Sequence, residues 1–196
     1  MFKQLIISFL RRCISALEYE ERQKREMRLK KLTMDGSMPF IEEGLALSGD
    51  EYIKIGGFFH AGRMFRIEAF DSYGVQKFTP SICIGDHVHI LNYCHVGCIE
   101  KVEIGDGTII GSKVLIIDHS HGAVDASESE IRPLERPLVS KPIKIGKNCW
   151  LGDGVCIMPG VTIGDNVVVG ANAVVTHSFE SNVVIAGIPA KIIRKI

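Results

Sequence analysis

Two histidines close a regular stretch of the sequence and carry its most reactive chemistry. The segment 114–125 begins with an apolar strip, reaches Asp118, His119 and His121, and then becomes polar. An imidazole titrates near neutral pH, so it can remove a proton from a hydroxyl group that attacks a carbonyl carbon. Such a base needs one free ring nitrogen and a partner that fixes the other, and Asp118 and Glu100 are both candidates for that partner. A loop histidine is more often merely hydrogen-bonded than catalytic, so the surrounding pattern has to decide.

The pattern around these histidines repeats every six residues from Ile82 onward. Aliphatic residues recur at that spacing, and glycine usually follows them, at positions 84, 90, 96, 104, 110, 116, 145, 151, 157, 163, 169 and 175. A period of six is not helical, but it fits a short strand followed by a corner at which Gly, Asn and Asp tolerate positive φ. Three such sides make a turn of about 18 residues, and stacked turns bury a continuous core. The sequence therefore predicts an all-β solenoid, a parallel β-helix of roughly four to five turns.

Two segments lie outside the six-residue repeat. Residues 2–32 contain no Gly or Pro and carry apolar residues near one face, so we predict an N-terminal helical segment over 1–35 with the stripe Leu5, Phe9, Cys13, Leu17 and Tyr19. We place the β-helix domain at 52–196. Within it the repeat stops between Ile116 and Ile143, where three prolines punctuate a long loop at 119–142.

Charge and cysteine content limit the kinds of binding partner and the cellular compartment that we expect. The chain has 23 basic and 23 acidic residues, which gives no argument for a nucleic-acid partner. Most of its 6 cysteines stand in apolar, strand-like contexts, which indicates a reducing compartment, so we expect a cytoplasmic protein. The helical stripe is expected to pack on its own domain or on a neighbouring subunit. An alternative is weak contact with an anionic membrane surface, because basic residues predominate between 11 and 31.

Residues 52–196 resemble the hexapeptide-repeat acyltransferases. The most specific part runs from CWLGDGVCIMPGVTIGDNVVVGANAVVT to VVIAGIPAKIIRKI and is similar to the C-terminal half of maltose and galactoside acetyltransferases. The resemblance implies a left-handed β-helix, a homotrimer, and acetyl-CoA as cosubstrate with no metal. The handedness comes from the resemblance, because general connection rules favour the right-handed form. The stretch YIKIGGFFHAGRMFRIEAF resembles O-acetyltransferases that modify surface polysaccharides, so we expect a glycan or another small-molecule acceptor.

The resemblance also assigns catalytic positions. His121 matches the catalytic base of the relatives, and His119 is the alternative. Asn92 is a candidate for contact with the acceptor or the oxyanion, and a plain corner asparagine is the competing interpretation. No cysteine stands in an electropositive context, so direct transfer without an acyl-enzyme is expected.

On the donor side, the resemblance points to small residues beneath the pantetheine arm and to polar residues near the nucleotide. The candidates are Trp150, Gly152, Gly170, Ala171, Ala173, Thr176, Lys191 and Arg194. Gly170 is alternatively a corner glycine with a purely structural role. Trp150 is alternatively an apolar side chain that packs between subunits. Lys191 and Arg194 would share a face if the C-terminal end were helical. His177 stands where the galactoside enzymes have lysine after threonine, which predicts a weaker or pH-dependent phosphate contact.

Two other classes of function remain open from the sequence. A trimeric metal-dependent hydratase of the γ-carbonic anhydrase type is indicated by HVHILNYCHVGC, in which His87 and His89 would point to the same side of a strand. Zinc needs three or four converging ligands, and Cys94, His95 and Cys98 are the others within reach. The second alternative is a non-enzymatic trimeric scaffold, against which the basic C-terminus and His121 argue.

Overall fold

The computed structural model describes residues 2–123 and 125–196, and three sheets, parallel except for the last two strands of one of them, form the faces of a prism. The five-strand face comprises β3 (Ile53–Ile55), β8 (Ile82–Ile84), β11 (Val102–Ile104), β16 (Ile143–Ile145) and β19 (Thr162–Ile163). The eight-strand face comprises β1 (Phe40–Ile41), β4 (His60–Ala61), β9 (His89–Ile90), β12 (Ile109–Ile110), β17 (Trp150–Leu151), β20 (Val168–Val169), β22 (Val183–Gly187) and β23 (Ala190–Lys195). The six-strand face comprises β2 (Ala46–Ser48), β5 (Arg66–Ala69), β10 (His95–Cys98), β13 (Leu115–Ile117), β18 (Cys156–Ile157) and β21 (Val174–Val175).

The remaining elements lie outside the parallel sheets. A long helix, α1, spans Phe2–Leu32. Two antiparallel hairpins project from the coil, β6 (Ser72–Tyr73) with β7 (Gln76–Lys77), and β14 (His119–His121) with β15 (Leu138–Ser140). Short 3₁₀ helices occupy Asp50–Tyr52, Ala126–Glu128 and Pro133–Glu135. The predicted parallel solenoid is confirmed, and its strands already begin at Phe40, before the residue-52 boundary that the hexads indicated.

The core is a column of aliphatic side chains inside the prism. On each short strand alternate residues point inward, as in β3, where Ile53 and Ile55 are fully buried and Lys54 is exposed. The same inward positions recur in β8, which pairs in register with β3, and in β11, which pairs in register with β8. Each turn therefore buries its apolar residues against the next turn, which no single six-residue side could do alone.

The corners are stabilised by the polar residue of the repeat. The carboxylate of Asp86 accepts a hydrogen bond from the Gly57 N–H at 2.7 Å, one turn below. Asp153 accepts from the Ser112 N–H in the same way, at 2.8 Å. At these two corners the aspartate after the glycine thus satisfies a backbone donor that no strand can pair.

Among the side chains of α1 that the structure describes, the buried ones lie at its C-terminal end. Leu29 and Leu32 are buried in the core, and Arg28 pairs with Asp50 at 2.8 Å. Leu17 and Tyr19 of the predicted stripe are exposed, whereas the side chains of Leu5, Phe9 and Cys13 lie outside the described residues. Among the residues that the structure describes, no helix combines the length and the apolar character needed to cross a membrane.

Replacing Gly105 by alanine should destabilise the coil. A Cβ at this corner would lie 2.6 Å from the Gly146 carbonyl carbon and 2.7 Å from the Lys147 nitrogen, and these backbone atoms cannot move without opening the stack. We expect a loss of about 2–3 kcal/mol in the free energy of unfolding. Gly36→Asn is the control, because Gly36 has open space around it and Asn tolerates positive φ. Equal urea midpoints for the two variants would contradict this account of the corner.

Candidate active site

The two histidines stand where the chain leaves the coil. β13 ends at Ile117 on the six-strand face, and the chain then forms β14, which pairs with β15 at the far end of the long loop. In this hairpin His119 lies opposite Ser140 and His121 opposite Leu138. Since alternate residues of a strand share a side, both imidazoles point the same way. The break in the repeat is thus an antiparallel exit that presents two histidines together.

Asp118 anchors this exit from inside the protein. Its carboxylate is fully buried and accepts hydrogen bonds from the N–H groups of Ile99 (2.9 Å), Glu100 (2.8 Å) and Lys101 (2.9 Å). It also lies 2.9 Å from Nδ1 of His119. Burial raises the pKa of Asp118, but the hydrogen bonds from His119, Ile99 and Glu100 outweigh burial and leave the pKa below its usual value. Of the two predicted orienting groups, Asp118 therefore fixes an imidazole, and that imidazole is His119.

A pocket of about 280 Å³ opens beside the hairpin. Its lining combines charged, aromatic and apolar side chains: Arg66, Glu68, Phe70, Ser72, Tyr73, His95, His119, His121 and Leu138. The ring of His121 lies 5.6 Å from that of Tyr73, edge to face. The pocket therefore holds both predicted histidines and a third one that the sequence did not assign to this site.

The β6–β7 hairpin holds the long loop over the pocket. The hydroxyl of Tyr73 donates to the carbonyl of Leu134. The side chain of Gln76 donates to the Leu138 carbonyl at 3.1 Å and accepts from the Leu138 N–H at 2.7 Å. These bonds join segments about 60 residues apart, so the pocket wall depends on both insertions into the coil.

His95 and Glu68 are the functional candidates that the sequence reasoning missed. His95 entered there only as a metal ligand, and Glu68 did not enter at all. Both point outward from the six-strand face, on β10 and β5, which pair in register with Glu68 opposite Gly97. Both residues occupy outward positions on strands that stack beneath β13. They could have been recognised from the sequence only if it were known which turns of the coil are neighbours.

Most of the predicted donor residues lie on another face than this pocket. Trp150 is 58% exposed on the eight-strand face. Gly152, Gly170 and Ala171 stack at the corner that follows this face, where a Cβ on Gly152 would lie 2.7 Å from the Ala171 nitrogen. Thr176 is exposed after β21, with its hydroxyl 3.4 Å from Nδ1 of His177. Within one chain, Trp150 and the Gly152 corner are therefore on a different part of the surface from the histidine pocket, whereas Thr176 follows a strand of the pocket's own face.

Three expectations about individual residues need correction. Ala173 is fully buried, so its methyl group contacts the core and not a ligand at the surface. Asn92 accepts a hydrogen bond from the Arg63 N–H through its Oδ1 at 2.8 Å, which fits the competing interpretation of a corner asparagine, and it does not line the histidine pocket of one chain. Lys191 and Arg194 lie on strand β23, so the argument from a shared helical face does not apply.

Within one chain the residues of the metal-site alternative lie apart. His87 occupies a corner with φ 56° and stacks on Phe58, whereas His89 is on the eight-strand face and His95 on the six-strand face. Cys94 and Cys98 are buried, and burial raises the pKa of each thiol. Within residues 2–123 and 125–196, no three His, Cys, Asp or Glu side chains converge as metal ligands.

Comparison with known proteins decides the family. The model of the bacterial transferase hexapeptide (six repeats) matches residues 142–177. A provisionally named lipopolysaccharide biosynthesis O-acetyl transferase, WbbJ, of Escherichia coli (strain K12) is 43% identical over 153 residues, which cover 76% of this chain and 74% of that protein. The chain belongs to the hexapeptide-repeat acetyltransferases. Its fold is accordingly the left-handed parallel β-helix that the resemblance implied.

Two solved structures are similar to the chain. A galactoside acetyltransferase in complex with coenzyme A has a TM-score of 0.52 and 27% identity, with 90% of this chain and 72% of that chain covered. The hexapeptide-repeat acetyltransferase VCA0836 of Vibrio cholerae O1 biovar eltor, complexed with acetyl coenzyme A, has a TM-score of 0.56 over 90% of this chain and 77% of that one. At 23% identity the second comparison supports the fold alone.

Replacing Asp118 by asparagine should lower stability at neutral pH by about 2–4 kcal/mol, because asparagine loses the charge and one acceptor oxygen in a buried site. The folded-state pKa of Asp118 is lowered, so its contribution is fully present above the unfolded-state pKa of about 4 and is lost as the pH falls through the lower folded value. Urea unfolding of both proteins at several pH values measures the difference.

Asp153→Asn serves as the control for this variant. Asp153 uses one oxygen for the Ser112 N–H at the surface, and asparagine offers the same oxygen, so little change is expected. A difference between wild type and Asp118→Asn that stays constant down to low pH would contradict the ionised state of Asp118.

Proposed function

We propose that this enzyme transfers an acetyl group from acetyl-CoA to a hydroxyl group of a sugar, with His121 as the general base. The observation that carries the proposal is the open pocket at the exit from the coil, which presents His121 to any ligand bound there. The names of the relatives support the reaction class, since they include O-acetyl transferases and a galactoside acetyltransferase solved with coenzyme A.

The proposed reaction needs no covalent enzyme intermediate. A sugar hydroxyl attacks the thioester carbonyl carbon, and His121 takes the hydroxyl proton as the new C–O bond forms. When the C–S bond breaks, the proton returns to the departing thiolate of CoA. The buried thiols Cys94, Cys98 and Cys149 have raised pKa values because burial disfavours the thiolate, which supports direct transfer.

His119 is the second candidate for the base, and the contact with Asp118 favours it. A carboxylate on Nδ1 fixes the ring and leaves Nε2 free, which is the arrangement a general base needs. Within the described residues His121 has no such partner, and it is proposed because the resemblance assigns it the position of the family's base. The two assignments make opposite predictions for single substitutions.

His121→Ala should lower kcat by about 10²–10⁴ and leave the affinity for acetyl-CoA nearly unchanged, because the base acts on the acceptor. His119→Ala should lower kcat less. The measurement is CoA release with a saccharide acceptor, together with acetyl-CoA binding by calorimetry. If His119→Ala is the inactive variant and His121→Ala keeps a near-normal rate, the base is His119.

We further propose that the complete site forms between copies of the chain in a homotrimer. The histidine pocket opens at the six-strand face, while Trp150 and the Gly152 corner belong to the eight-strand face and its edge. A donor held along that corner needs a second chain to bring it to His121. Closed cyclic symmetry would repeat this contact three times.

Complementation tests this arrangement. Ala171→Trp should block the donor corner at an exposed position, and His121→Ala should remove the base, so each variant alone is inactive. If the two chains are dissociated, mixed and reassembled, about a quarter of the sites should combine an intact corner with an intact base. Light scattering that shows a monomer, or mixing that restores no activity, would contradict the shared site.

A further inference from the structure

One buried imidazole nitrogen in the pocket has no hydrogen-bond partner among the described residues. This atom is Nε2 of His95. It lies 3.3 Å from Oε2 of Glu68, but the geometry is not that of a hydrogen bond. A buried polar atom without a partner costs about 1–3 kcal/mol, which a bound polar ligand would recover.

His95 and His119 face each other across a gap in the side-chain layer. The gap is above Gly97, which pairs with Glu68 on one side and with Ile117 on the other. A Cβ built on Gly97 would lie 3.4 Å from Nε2 of His95 and 3.6 Å from Cε1 of His119. A Cβ there would already be in van der Waals contact with both rings, so the space that the glycine leaves is about the size of one methyl or hydroxyl group.

The charges around the gap favour an uncharged ligand that donates a hydrogen bond. Glu68 is held by Arg66, and its side chain is only 14% exposed. Burial, and then the charge of Arg66, lower the pKa of His95 below its usual value, which favours the neutral ring with one donor and one acceptor nitrogen. A hydroxyl group can donate to the Glu68 carboxylate and bond to the imidazole at once, whereas an anion would meet the carboxylate.

We propose that Glu68 and His95 form a second hydroxyl-binding subsite, which receives another free hydroxyl of the sugar ring that is acetylated at His121. The inference rests on the proposed function and names its substrate class: sugars that keep at least two free hydroxyls on the reacting ring. The pocket, at about 280 Å³, is at the small end of ligand sites and suits a single ring. Glu68 is then a specificity-determining residue rather than the base.

The test is a cycle between a variant and a modified substrate. Methyl glycosides of glucose, galactose and mannose are first compared as acceptors for the wild-type enzyme, and the best is then replaced by each of its monodeoxy analogues. Removal of the hydroxyl bound by Glu68 should lower kcat/KM by about 10- to 100-fold, as expected for a hydrogen bond to a charged group. For the parent glycoside, Glu68→Gln should lower kcat/KM by a similar factor, mostly through a higher KM. When Glu68→Gln acts on the same deoxy analogue, kcat/KM should fall little further, because the hydrogen bond is already lost.

His95→Gln should give the same pattern with a smaller factor, because an amide can still donate or accept one bond. Gly97→Ala should raise the acceptor KM by filling the gap. Glu103→Gln is the matched control, since Glu103 pairs with Lys101 on the five-strand face and the same charge is removed there. The KM for acetyl-CoA should be unchanged in all four variants.

The possible results distinguish a failure of the second subsite from a failure of the proposed function. Suppose that the wild-type enzyme acetylates a glycoside, but every deoxy analogue lowers kcat/KM by the same factor in Glu68→Gln as in the wild type. The second subsite is then wrong and the proposed function stands. If the enzyme binds acetyl-CoA and acetylates none of the glycosides, the proposed function on a simple sugar fails and the subsite with it.

Discussion

In-register stacking of short parallel strands is the constraint on which the rest of the structure depends. Each residue lies above the equivalent residue of the turn below, so an inward position stays inward and an outward position becomes part of a column. Arg66, His95 and Leu115 form one such column on the six-strand face. Glycine at the corners permits this spacing, because the backbones of successive turns approach too closely for a Cβ.

A regular coil of this kind has no concave site, so function needs an interruption. The chain leaves the coil twice, at the β6–β7 hairpin and at loop 119–142, and the two insertions bond to each other through Tyr73 and Gln76. Asp118 makes the second exit stable, since its buried carboxylate takes up three backbone N–H groups of the turn at 99–101. The same carboxylate orients His119, so one group both ends the repeat and organises the pocket.

The distribution of polar groups explains why the site is divided. The inner column is mainly aliphatic, and apart from the buried Thr33, Thr108 and Asp118 the polar side chains lie on outward columns, which differ from face to face. The six-strand face supplies Glu68 and His95, whereas the eight-strand face supplies Trp150. Because the faces of a prism diverge, residues on two faces of one chain do not converge on a single ligand, and the proposed trimer brings unlike faces together.

The sequence by itself determined the solenoid, the corner residues and the position of the break at His119 and His121, because strand alternation and the corners are local and repeat every six residues. It also gave the family, through a long uninterrupted run of hexads. Only the tertiary structure decided that Asp118 fixes His119, that Ala173 faces the core and that Asn92 caps a corner. It also brought Glu68 and His95 together above Gly97. These contacts join residues of different turns. Which turns are neighbours depends on the lengths of the loops and on where the first strand of the coil begins, and a local sequence pattern gives neither.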